Sequence, residues 1–174
     1  ERVRYIYDTY LANTDAKIYF SVVPDKGYYL AEPSGQLSMD YEELFAQVQT
    51  LAPWAQFVDI TGDLTAGDYY RTDTHWRQEC LLDAAETLCD AMGVTAPNMA
   101  DYTITALERP FYGVYYGQAA LPMEPETMYL LENDLLSSCV VTNHETGKTA
   151  SVYDLDRLTS RDLYDVYLSG ARAL

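Results

Sequence analysis

The apolar positions of this chain alternate between two spacings. In Arg4–Leu11, Tyr7, Tyr10 and Leu11 share one side, the mark of a helix end. Lys17–Val23 is a continuous β-rich apolar run stopped by Pro24, which predicts a short strand buried on both faces. In Asp40–Leu51, Leu44, Val48 and Leu51 return to helical spacing. Asp40 is placed to cap that helix, Glu43 follows three residues later, and Pro53 closes it. Phe57–Ile60 reads as a second strand. Helix and strand in alternation predict an α/β fold with a parallel sheet.

A loop from Thr61 to Thr74 carries two glycines. The clearest helical pattern follows, from Trp76 to Met92, with Trp76, Cys80, Leu81, Ala84, Ala85, Leu88, Cys89 and Met92 on one face and Gly93 as the stop. The second half is richer in strands. Tyr102–Ala106 and Met128–Leu131 have strand character, and Phe111–Gly117 is aromatic and punctuated by glycine. Cys139–Thr142 and Thr149–Tyr153 flank a hairpin turn containing Gly147. Arg161–Ser169 reads as a short helix ended by Gly170. No internal repeat or low-complexity linker divides the sequence, so the expectation is one domain over residues 1–174.

Composition narrows the function classes. The 174 residues carry 11 Lys+Arg against 27 Asp+Glu, a net charge of −16, which repels nucleic acid and anionic membranes. No apolar run approaches the ~20 residues needed to span a bilayer. An apolar share of 48 % is a globular value. Tyr accounts for 17 of the aromatic residues, beside 4 Phe and 2 Trp. Such side chains suit both a core with its hydroxyls at the boundary and a sugar-stacking surface. Cys80 and Cys89, on one predicted helix, lie roughly 13 Å apart, too far for a disulfide. With Cys139 they are read as small buried hydrophobes.

Two histidines leave no room for a His-rich metal site, and no cofactor is implied. His144 falls in the hairpin turn and is read as exposed and structural. His75 sits differently, in Tyr69-Tyr70-Arg71-Thr72-Asp73-Thr74-His75-Trp76, after a strand and before the predicted helix. Ligands of α/β sheets bind beyond the carboxyl ends of strands. A carboxylate two residues before an imidazole can orient it as a general base. Asp73 is equally suited to cap the following helix. No serine stands in Gly-x-Ser-x-Gly, and no cysteine is poised as a nucleophile. The chain offers a base and its orienter without a nucleophile.

Thr72-Asp73-Thr74-His75-Trp76 resembles the defining motif of the DHHW family, relatives of alginate O-acetyltransferase-type, SGNH-hydrolase-like proteins. Thr74 stands where the first histidine of the name would be. Val23-Pro24-Asp25-Lys26, Pro110-Phe111-Tyr112-Gly113, Tyr153-Asp154-Leu155 and Asp162–Gly170 resemble further segments of that family. The resemblance implies an SGNH-like three-layer α/β core, partial here, with a β-rich second half. It implies a chain truncated at both ends, whose serine lies beyond Leu174. Asp73 would orient, His75 would act as base, and Trp76 would pack beside them. The implied activity is acyl transfer to, or hydrolysis from, an acylated polysaccharide at the cell surface or outside the cell. Trp76, Tyr70, Tyr112 and Tyr115 are the candidate substrate-binding residues. A non-catalytic reading keeps the same aromatic residues, with Tyr69 and Tyr116, as a glycan-binding surface.

Overall fold

A computed structural model describes residues 1–120 and 122–170. The chain divides into two compact units, Glu1–Ala66 with Asp83–Ala96, and Gly67–Leu82 with the chain from Pro97 onward.

In the first unit, α1 (Arg2–Ile6) continues into a wider helical turn over Tyr7–Leu11. The strands β1 (Tyr19–Phe20) and β2 (Gln56–Phe57) pair in parallel, in the register Phe20↔Phe57. The expected strand over Lys17–Val23 is thus shorter, because the ladder offers only the Ile18 and Phe20 carbonyls to Gln56 and Val58. Tyr19 and Phe20 are half-buried, not enclosed on both faces. Asp25 caps α2 (Lys26–Leu30) by accepting the Tyr28 N–H, and Asp40 caps α3 (Tyr41–Leu51) by accepting the Glu43 N–H. Rings of Tyr28, Tyr41, Phe45, Phe57 and Phe20 form a continuous tilted and edge-on cluster. Val58, Ile60 and Leu64 are buried beside it in sequence, after β2.

The helix expected from Trp76 begins later, as α4 (Leu82–Met92), preceded by a 3₁₀ turn at Gln78–Cys80. The backbone explains the delay. Tyr69 and Trp76 form an antiparallel bridge, Tyr70 donates its N–H to the His75 carbonyl, and Arg77 donates to the Asp68 carbonyl. Residues 75–77 are therefore committed to a hairpin-like loop and cannot enter a helix until that loop is closed.

In the second unit, β3 (Thr103–Ala106) and β4 (Tyr129–Glu132) form an antiparallel pair. Between them, Phe111 bridges Glu126 and leads into α5 (Val114–Ala119). After α6 (Asp134–Ser138), β5 (Val140–Thr142) and β6 (Thr149–Ser151) form the expected hairpin, with Gly147 at a φ of 68°. The core gathers Tyr70, Phe111, Met128, Leu130, Leu163, Val166 and Tyr167. The expected helix over Arg161–Ser169 contracts to one 3₁₀ turn, Leu163–Val166. Beyond it, Tyr167 bridges Tyr153 and Leu168 donates to the Val152 carbonyl, so the chain leaves the helix at Tyr167 and turns left-handed at Leu168 and Ser169. The fold is mixed α/β, built among the described residues from helices and two-stranded sheets.

The cysteines also differ from expectation. Cys80 and Cys89 are half-buried and Cys139 is exposed, because Cys139 lies at the join between α6 and β5. All three are free.

Candidate active site

The site lies in the second unit, on the loop closed by the Tyr69–Trp76 bridge. At its tip, Asp73 and His75 face each other. The Asp73 carboxylate oxygen Oδ1 accepts the His75 backbone N–H at 3.1 Å and lies 2.5 Å from ring Nδ1. Its other oxygen, Oδ2, accepts the Val114 backbone N–H at 2.8 Å, from the first turn of α5. Both carboxylate oxygens are thus occupied. The Asp73 side chain is 7 % exposed and that of His75 is 46 % exposed. With Nδ1 held as a donor to Asp73, the lone pair of His75 is on Nε2, which has no hydrogen-bond partner among the described residues.

Burial alone would push the Asp73 carboxyl up. The hydrogen bonds from the His75 ring, the Val114 amide and the His75 amide outweigh it and hold the carboxyl at about 2. Asp73 is therefore ionised throughout the neutral range. It also does not cap α4, which starts at Leu82.

A second layer fixes the loop. Thr72 is fully buried. Its N–H and hydroxyl donate to Glu126 Oε2 at 2.8 and 2.7 Å, and the Arg71 N–H donates to Oε1 at 2.8 Å. Thr72 Oγ1 in turn accepts the Gly113 N–H at 3.0 Å, and the Thr72 carbonyl accepts the Tyr115 N–H at 2.9 Å. Gly113 must be a glycine here. A Cβ on it would lie 2.3 Å from the Asp73 Cβ and 2.3 Å from the Thr72 carbonyl oxygen.

Two clefts flank the pair. One, of about 660 Å³, is lined by Asp73, Tyr112, Gly113, Tyr116, Arg161 and Asp162, among others. The other, of about 510 Å³, places His75 among Gln78, Tyr164, Asp165, Tyr167 and Leu168. Asp162 borders both. In the second cleft the Tyr164 ring stacks on the His75 imidazole, 3.8 Å between centroids and 15° between planes. Neither cleft is lined by a serine or cysteine among the described residues. The nearby Cys80 thiol is pushed up to about 12 by burial and by its hydrogen bond to Asp68, which leaves it protonated and unreactive. No group of three metal-ligating side chains occurs among the described residues.

The candidate binding residues separate. Tyr112 lines the first cleft, and its ring meets that of Tyr116 at 4.7 Å. Tyr115 is exposed on α5 but lines neither cleft. Trp76 is half-buried in its bridge with Tyr69 and also lines neither. Tyr70 requires correction. It is 0 % exposed, edge-on to Phe111, and so cannot stack on a ligand. Tyr69 is likewise buried. His144 is exposed in the hairpin turn, as expected. Tyr164 and Glu126 are site residues that local sequence patterns do not reveal, because their partners are distant in the chain.

The sequence matches no protein-family model and no curated protein. Solved structures share its fold. A DHHW family protein from Eubacterium siraeum superposes with a TM-score of 0.62 at 18 % identity, over 91 % of this chain and 56 % of that one. Bacillus cereus PatB1 superposes with a TM-score of 0.64 at 15 % identity, over 94 % of this chain and 61 % of that one. PatB1 with a sulfonyl adduct gives a TM-score of 0.65 at 16 % identity, over 91 % and 57 %. The chain spans under two thirds of these relatives. No helix among the described residues is long and apolar enough to cross a membrane.

Proposed function

We propose that this chain is the base-bearing part of an SGNH-like acyltransferase or esterase. The observation that carries the reading is the Asp73–His75 pair: a buried, ionised carboxylate on Nδ1 of a half-exposed imidazole that lines a cleft. The likeness in fold to PatB1, seen with a sulfonyl adduct, supports it, since sulfonyl groups attach to nucleophilic side chains. In this reading the chain contributes part of a three-layer core, and the nucleophile is a serine following Leu174.

The chemistry is then as follows. His75 Nε2 takes the proton of the serine hydroxyl as the serine oxygen bonds to the ester carbonyl carbon. Asp73 stabilises the imidazolium that results. The carbon–oxygen bond to the leaving alcohol breaks, and His75 returns its proton to that alcohol. Water or a second hydroxyl then repeats the sequence on the acyl-enzyme. The alcohol is carried by a glycan at the cell surface or outside the cell, with Tyr112 and Tyr116 stacking on a sugar ring in the first cleft.

The uninterrupted natural polypeptide tests this on 4-nitrophenyl acetate and acetylated xylan. His75→Ala and Asp73→Asn are expected to lower kcat by roughly 10³-fold or more. Full activity in both variants overturns the reading. The tyrosine-lined cleft also favours a second reading, glycan binding without turnover. In that case neither variant weakens binding, and no ester is cleaved.

A further inference from the structure

We infer that Tyr164 is a positioning residue for His75: its ring clamps the face of the imidazole while Asp73 holds its edge, so that Nε2 points in one direction. The inference rests on His75 acting as the base.

His75 is on a loop, and nearly half of its side chain is exposed. One hydrogen bond at Nδ1 leaves the ring able to swing about that contact. A near-parallel stack at 3.8 Å supplies the missing constraint, because it defines the plane of the ring. The Asp73 contact at Nδ1 restrains rotation within that plane. Together they leave Nε2 one direction, which proton transfer requires.

A clamp must itself be held. Tyr164 sits between the buried residues Leu163 and Val166 in the 3₁₀ turn. Asp162 caps that turn by accepting the Tyr164 N–H at 2.9 Å. The Tyr164 ring meets Tyr167 edge-on at 4.8 Å and Tyr70 at 6.4 Å. It is thus anchored in the same core that buries Tyr70.

The stack also has an electronic consequence. Burial, and then the charge of Asp73, push the Tyr164 phenol up to about 12, so the ring stays neutral at working pH. A neutral phenol presents an electron-rich face, which favours a cation stacked on it. The cation here is the imidazolium formed when Nε2 takes a proton. The other titratable groups packed on the Tyr164 and His75 rings or lining their cleft are Asp73, Tyr70, Asp162, Asp165, Tyr153 and Tyr167.

The test is nuclear magnetic resonance of ¹⁵N-histidine in the natural full-length polypeptide, with His75→Gln for assignment. In the unsubstituted protein the carbon-bound ring protons of His75 are expected upfield of those of His144, from the Tyr164 ring current. Tyr164→Phe keeps this shift, and Tyr164→Leu removes it. Its kcat falls about tenfold or more with KM unchanged, whereas Tyr164→Phe remains close to the parent. An unshifted His75 in the unsubstituted protein, or a His75 shift that persists in Tyr164→Leu, overturns the inference. If Tyr164→Leu does not fold, the ring shift of the unsubstituted protein decides alone. These readouts do not need turnover, so failure of the esterase reading is seen separately, as shifted resonances without hydrolysis.

Discussion

The Val114 backbone N–H donates to Asp73 Oδ2 at 2.8 Å, joining residues 41 apart in sequence. This bond brings the start of α5 against the loop that carries His75. It depends on the absence of a side chain on the residue before Val114. Gly113→Ala places a methyl group against the Asp73 Cβ and the Thr72 carbonyl, neither of which can swing aside. The expected cost is roughly 3 kcal/mol, from overpacking and from loss of the Val114–Asp73 bond. Urea denaturation measures it, and an unchanged midpoint would contradict the role given to Gly113.

Glu126 is expected to be a stability residue of the site, not a reacting group. Its carboxylate receives two backbone N–H groups and the Thr72 hydroxyl. Glu126→Ala leaves those donors without an acceptor, at a cost of roughly 2–4 kcal/mol. Glu126→Gln retains one acceptor oxygen and should lose less. Thermal unfolding of both variants checks the order, and an alanine variant as stable as the parent would refute it.

Acid should weaken the fold through Asp73. Its folded-state value of about 2 lies below the ordinary 3.8, so the carboxylate stabilises the folded state. Above about pH 4 that contribution is fully present, because the group is ionised in both folded and unfolded chains. It is lost as pH falls from about 4 through 2. The stability gap between the parent and Asp73→Asn, on the order of 1–2 kcal/mol, should therefore shrink as pH falls from about 4 through 2. A gap undiminished at pH 2 would contradict the ionised carboxylate.

Leu168 and Ser169 hold left-handed backbone, with φ of 55° and 62°, immediately before Gly170 at 79°. Such a conformation is strained for a side chain that carries a Cβ. The turn is held by the Leu168 N–H on the Val152 carbonyl and the Ser169 hydroxyl on Asp154. Leu168 is 57 % exposed, so its removal forfeits little burial. Leu168→Gly is expected to stabilise the protein by roughly 0.5–1 kcal/mol, as read from the urea midpoint. Destabilisation would show that Leu168 contributes packing that outweighs the strain.

Local signals were the readable ones. Asp40 three residues before Glu43 announced a cap, and the cap is there. Gly147 between two short β-rich runs announced a hairpin. The two-residue spacing of Asp73 and His75 placed a carboxylate within reach of an imidazole. Long-range contacts left no such mark. Nothing near Thr72 indicates that Glu126 will receive its N–H, and nothing near His75 indicates a stack with Tyr164. Periodicity also misled where hydrogen bonds compete. The apolar spacing from Trp76 to Met92 is helical, but the loop takes the backbone of residues 75–77, and the helix waits until Leu82. Tyr70 shows the limit of composition: a tyrosine beside a candidate site reads as a stacking surface, yet its burial against Phe111 makes it core.

The central claim is that the Asp73–His75 pair activates a nucleophile. Intact-mass analysis of the natural full-length polypeptide after treatment with phenylmethanesulfonyl fluoride tests it directly. A single sulfonyl adduct on a serine is expected, formed at least about a hundredfold more slowly in His75→Ala. Equal labelling of the two proteins, or no adduct on either, would contradict it.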